Sequence, residues 1–216
     1  MLPDVACICV YCSSSDRIDR SYLDLAADLG SELARRGHSL VSGGGRVSMM
    51  GAVATAARAG GGHTTGVIPQ ALVGWEVADE AADELLVTPD MRSRKAAMDE
   101  RADAFIALPG GIGTLEELLE IWVARSLGMH DKPVVVLDPD GTYAELHLLV
   151  DSLQRKGFIR SSALADLIWT TSVAQALDAV ESGIAAGAAA ASGPPDAEDL
   201  LEAEVEPPPG MTPSAT

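Results

Sequence analysis

Short apolar runs alternate with segments of helical spacing along most of this chain, and that alternation admits few folds. "VACICVYC" (5–12) is apolar throughout, as a strand buried on both faces of a sheet must be. "SYLDLAADLGSELARRG" (21–37) follows with Tyr22, Leu25, Leu29 and Leu33 on one helical face; Arg35 and Arg36 suit its C-terminus, and Gly37 can cap it. "HSLVS" (38–42), "TTGVIP" (64–69), "DELLVT" (83–88), "DAFIALP" (103–109), "KPVVVLD" (132–138) and "DLIWT" (166–170) read as further strands. Helices are predicted over 49–60, 91–101, after Gly113, over 142–156, and from the last strand to about Ser182. This order builds an α/β domain: a Rossmann-like, doubly wound parallel sheet with helices on both faces. Right-handed crossovers then bring the strand-to-helix turns to one edge, outside the carboxyl ends of the strands, where such folds bind ligands.

The 216 residues suffice for one domain with a sizeable core, expected over 1–183. From Ile184 the composition turns to Ala, Pro and acids, among them Asp196, Glu198, Asp199, Glu202, Glu204 and Glu206; 184–216 reads as an acidic, disordered tail. A formal charge of −17 argues against a nucleic-acid partner, which needs clustered Lys and Arg. It leaves room for one small phosphate ligand held by backbone amides. Cys7, Cys9 and Cys12 lack the helix start or second ligand pair of a redox or metal site, so buried core thiols are expected. His38, His63, His130 and His147 are scattered without ligand spacing, so no metal and no cofactor is expected. With no signal peptide and no membrane-length apolar run, the chain reads as cytoplasmic, with no membrane partner.

Two glycine turns join a strand to a helix: "SGGGRVSMMG" (42–51) and "PGGIGT" (109–114). Glycine there lets a ligand approach the backbone, and the free N–H groups of the following helix favour an anion. Two such turns at one sheet edge suggest a nucleotide or sugar phosphate. Neither is a dinucleotide G-x-G-x-x-G, because Ser48 stands where the last glycine would be, and neither is a P-loop.

Glu117 has two readings. Thr114 and Glu117 have the spacing of a capping box, which would give the carboxylate a merely local role. Alternatively Glu117 is partly desolvated beside a phosphate-type loop, where an ionisable group becomes chemically useful. In "PDMRSRKAAMDE" (89–100), Asp90 is a plausible N-cap, and Arg94 shares the inward face with Met91, Ala97 and Met98. A half-buried arginine needs an anion; Glu117 and a ligand phosphate are the candidates. Lys95 and Asp99 read as an exposed i,i+4 pair. The following helix is apolar almost all round (Leu115, Leu118, Leu119, Ile121, Trp122, Val123), which places it in a core or a subunit interface.

"MRSRK" followed by "PGGIGTLEE" resembles the LOG family of cytokinin riboside 5′-monophosphate phosphoribohydrolases, often labelled lysine decarboxylases. The likeness also covers "YCSSS", "GGG…MMG", "GVIP", "ADAFIALPGG" and "HDKPVVVLD", most of 5–160. It implies hydrolysis of the N-glycosidic bond of a nucleoside 5′-monophosphate such as N6-substituted AMP or AMP, giving free base and ribose 5-phosphate. It implies Glu117 as the carboxylate that stabilises an oxocarbenium-like sugar and activates or replaces water, with Arg94 orienting it and contacting phosphate or base. Gly110, Gly111, Gly113 and Thr114 would hold the 5′-phosphate, and Gly44 and Gly45 would line the nucleotide site. Lys95, Met91, Ser14 and Glu76 complete the implied substrate contacts, although an ordinary loop acid would read the same as Glu76. The family also implies a homodimer or larger homo-oligomer. A decarboxylase would need a Schiff-base lysine for pyridoxal phosphate, and none of Lys95, Lys132 and Lys156 stands out. A non-catalytic nucleotide sensor or carrier of the same fold is the competing reading. Ser13 and Ser48 stand where the family often has Gly, a departure that bears on base preference or affinity.

Overall fold

The computed structural model describes residues 5–73 and 78–191. Its centre is a parallel sheet of β1 (Cys7–Tyr11), β2 (Ser39–Ser42), β3 (Thr64–Pro69), β4 (Glu84–Thr88), β5 (Ala104–Ala107), β6 (Val134–Leu137) and β7 (Leu167–Thr170), in the order β4-β3-β2-β1-β5-β6-β7. The helices are α1 (Arg20–Arg35), α2 (Ser48–Ala59), α3 (Met91–Arg101), α4 (Ile112–Ser126), α5 (Ala144–Arg155), α6 (Ser161–Ala165) and α7 (Val173–Ala191). This is the doubly wound architecture expected from the alternation.

Side-chain alternation along β1 divides the core. Ile8, Val10 and Cys12 pack toward α1, α2 and α7. Cys9 and Tyr11 pack into the opposite layer, with Met98 of α3, Leu118 and Trp122 of α4 and Val150 of α5. Strands buried on both faces must be apolar at every position, hence the unbroken run read in the sequence. All three thiols are free. Burial pushes Cys7 up to about 11, and Cys9 and Cys12 further still, so none offers a thiolate at neutral pH.

α6 and a 3-10 turn at Gln70–Leu72 are too short to show a period, and the sequence reading lacks them. α7 runs to Ala191, past the expected end near Ser182, because alanine is the strongest helix former. The helix thus crosses the compositional boundary at 183. Residues 192–216 and Glu76 lie outside the described residues.

The strand order reverses at β1, whose neighbours are β2 on one side and β5 on the other. The connection from β1 to β2 and that from β5 to β6 run in opposite directions, opening a crevice between β1 and β5 at the carboxyl end of the sheet.

Candidate active site

The loops after β1 and β5 part at that reversal. Between them lies a cavity of about 290 Å³, walled by Ser13, Ser14 and Ser15 on one side and by Gly111, Gly113 and Thr114 on the other, with Arg94 and Glu117 in its lining. The volume is at the low end of the roughly 300–1,000 Å³ found for small-molecule sites.

Arg94 reaches the cavity from α3. Asp90 caps that helix, its Oδ1 accepting the Ser93 N–H at 2.8 Å, and the inward face buries Arg94 and Met98. Arg94 Nε donates to the Val67 carbonyl at 3.0 Å and Nη1 donates to Glu117 Oε1 at 2.9 Å. Nη2 lies on the backbone of Gly43, where an added Cβ would sit 2.0 Å from it. The middle of the first glycine turn is therefore bare so that a guanidinium can lie against it.

The capping-box reading of Glu117 fails. α4 begins at Ile112 with Gly111 as N-cap and no side-chain cap. Thr114 is instead a buried residue of the first turn, seated so closely on Gly110 that a Cβ there would come within 2.1 Å of its Oγ1. The glycines let the chain enter the helix three residues earlier than a cap at Thr114 would. Glu117 then falls one turn further in, where its side chain is 10% exposed. Burial raises its pKa above the ordinary carboxylate range, and the Arg94 charge and hydrogen bond oppose that rise. Oε1 is taken by Arg94; Oε2 accepts no hydrogen bond among the described residues. A buried, charge-balanced carboxylate with one free oxygen at a cavity wall can stabilise a cation or take a proton from water.

The remaining expected site residues are placed as follows. Ser14, Met91, Gly111, Gly113 and Thr114 line the cavity with Arg94 and Glu117. Gly110 lies behind that wall, below Thr114. Gly44 has φ +73° and packs against Val67, and Gly45 bridges to Ala78, so Gly43 is the glycine of that turn that lines the cavity. Lys95 turns away from the cavity. It is ion-paired with Glu116 and Glu120 rather than with Asp99, which pairs with Lys132 at 3.2 Å. Lys95 borders a second cavity of about 630 Å³ between α3 and α4, which shares Tyr11, Glu116 and Glu117 with the first. In the sequence, "GGG" marks a turn but does not say which glycine faces the arginine.

One further residue supports the second glycine turn. Tyr143, buried after β6, has its hydroxyl 3.0 Å from the Leu108 carbonyl and 3.4 Å from that of Gly110. Asp138 fixes it by accepting the Thr142 and Tyr143 N–H groups at 2.9 and 2.8 Å. Sequence spacing gives no hint of this support, because it joins positions 35 residues apart.

Comparison with known proteins identifies the family. The sequence pattern of a family described as "Possible lysine decarboxylase" matches residues 50–180. None of the three lysines lines the cavity between the Ser13–Ser15 loop and the Gly111–Thr114 turn, although Lys95 borders the second cavity. A cytokinin riboside 5′-monophosphate phosphoribohydrolase of Mycobacterium marinum is 48% identical over 176 residues, 82% of this chain and 94% of that protein. The LOG4 enzyme of that name from Arabidopsis thaliana is 49% identical over 156 residues, 72% of this chain and 73% of that one. Among solved structures, the molybdenum cofactor carrier protein of Chlamydomonas reinhardtii superposes with a TM-score of 0.64 at 25% identity, over 84% of this chain and 99% of that one. With near-half identity over most of its length, a glycine turn opening α4 and an Arg94–Glu117 pair at the sheet reversal, the chain belongs to the LOG family of cytokinin riboside 5′-monophosphate phosphoribohydrolases.

Proposed function

We propose that this protein hydrolyses the N-glycosidic bond of nucleoside 5′-monophosphates, N6-substituted AMP or AMP itself, to free base and ribose 5-phosphate. The observation that carries the reading is Glu117, buried, paired to Arg94 through Oε1 and lining the cavity. The 5′-phosphate sits on the N-terminus of α4, at Gly111–Thr114, where amide groups and the helix dipole favour an anion. The C1′–N9 bond breaks with its electron pair leaving on the base, and Glu117 stabilises the oxocarbenium-like sugar. The water oxygen bonds to C1′; one water proton, taken by Glu117, ends on the departing base. Arg94 holds Glu117 ionised and aimed at the sugar.

The protein acts as a homodimer in the cytoplasm. The outer face of α4 supports the dimer: Leu119, Val123 and Leu127 are 40%, 52% and 59% exposed beside the buried Leu118, Ile121 and Trp122. Among the described residues no helix is long and apolar enough to cross a membrane. A non-catalytic carrier is the second reading, favoured by the likeness to the Chlamydomonas protein; such a carrier has no use for a carboxylate aimed at a sugar. AMP, N6-isopentenyl-AMP and adenosine, each incubated with the protein and assayed for free base and ribose 5-phosphate, separate the readings. Equimolar products from the monophosphates and little from adenosine are expected. Binding without product supports the carrier.

A further inference from the structure

Among the described residues Ser48 is the one non-glycine residue with positive φ, +53°. A Cβ in that region crowds the carbonyl that follows it, whereas glycine takes it freely. An outlier of this kind beside a site is held by its surroundings. Here the Ser48 hydroxyl donates to the Ser15 carbonyl at 2.7 Å, across 33 residues of chain. The Ser15 N–H donates to Ser13 Oγ at 3.1 Å, and Ser15 Oγ accepts the Arg17 N–H at 3.3 Å. All the polar groups of Ser15 are thus engaged, and the contact from Ser48 alone comes from outside its own loop. Ser13 and Ser48, the two departures from the family pattern, both direct their hydroxyls to Ser15.

We infer that Ser48 is a positioning residue: it latches the Ser13–Ser15 wall of the cavity to the first turn of α2 and so preforms the nucleotide site. The inference rests on the cavity being that site. A wall fixed before binding loses less freedom when the ligand arrives, so the latch acts on affinity. Bond breaking, assigned to Glu117 on α4, is left alone.

Ser48→Ala and Ser48→Gly test this as a pair, because both delete the hydroxyl while their backbones respond oppositely. Alanine keeps a Cβ in the left-handed region; glycine removes the conflict. Both variants are expected to raise KM for AMP by about three- to tenfold, the loss of one neutral hydrogen bond, with kcat within about twofold of wild type. The melting temperature should fall in Ser48→Ala and return to the wild-type value or above in Ser48→Gly. A wild-type KM in Ser48→Gly, or a KM that follows the melting temperature across the three proteins, overturns the latch. Calorimetric titration of the same proteins with AMP keeps it distinct from the hydrolase reading. If wild type binds AMP but releases no adenine, hydrolysis falls and the latch is judged by Kd, weaker binding in both variants being expected. A wild type that does not bind AMP overturns both.

Discussion

Arg94 donates Nη1 to Glu117 Oε1 at 2.9 Å, and the two side chains are 8% and 10% exposed. Removing one member of a buried pair leaves the other charge uncompensated, at a cost of about 3–5 kcal/mol. Arg94→Ala is therefore expected to be markedly less stable in thermal denaturation and inactive in base release. Arg94→Lys restores the charge but replaces the two fixed donors, Nε to the Val67 carbonyl and Nη1 to Glu117, with one rotatable ammonium. It should recover part of the stability and little of the activity. Full activity in the lysine variant would mean that only charge is needed at that position.

Burial raises the Glu117 pKa against the pull of Arg94. Its working form is the carboxylate, so lowering the pH through that pKa protonates it and removes activity. The kcat/KM profile should show an acid limb set by one group titrating above the ordinary glutamate value of about 4.3, falling about tenfold per pH unit below it. In Glu117→Gln the limb should vanish, leaving low and flat activity. A wild-type limb at or below the ordinary value contradicts this assignment.

Gly43→Ala would place a methyl group 2.0 Å from Arg94 Nη2. The guanidinium must move, and Glu117 with it. The expected result is a loss of kcat of about tenfold or more, since small misplacements of catalytic groups are costly, with far-UV circular dichroism unchanged. Unaltered kinetics would show that Arg94 can be displaced without consequence.

Tyr143→Phe deletes the hydroxyl near the Leu108 and Gly110 carbonyls. One hydrogen bond is lost, about 1 kcal/mol, at the loop assigned to the 5′-phosphate. KM for AMP should rise while the weak rate with adenosine, which lacks the phosphate, stays the same. Equal effects on both substrates would place the tyrosine's role in general stability.

Val123→Glu puts a charge in the middle of the exposed apolar face of α4. The proposed dimer predicts that wild type sediments as a dimer and the variant as a monomer. A variant that sediments like wild type would move the subunit contact elsewhere.

The sheet was legible because a strand buried on both faces leaves an unbroken apolar run, as in "VVVL" of β6 and "AFIA" of β5. Gly37 was legible as a cap because its left-handed φ of +84° is a glycine conformation. The pairing of Arg94 with Glu117 could be anticipated from the need of a half-buried arginine for an anion. The start of α4 was misread because T-x-x-E spacing also arises inside a helix, and only the backbone at Gly111 distinguishes the two. The partners of Lys95, the role of Gly43 and the support from Tyr143 depend on contacts between distant segments, for which local spacing carries no signal. Ser48 looked like a lost glycine; its compensating bond to Ser15 exists only in three dimensions.

The most direct test compares wild type with Glu117→Gln on AMP, measuring adenine release and, by calorimetry, AMP binding. The role assigned to Glu117 requires release by wild type and a fall of at least about a hundredfold in the variant, with binding retained. Comparable release by Glu117→Gln would contradict it, since the chemistry would then belong to another group.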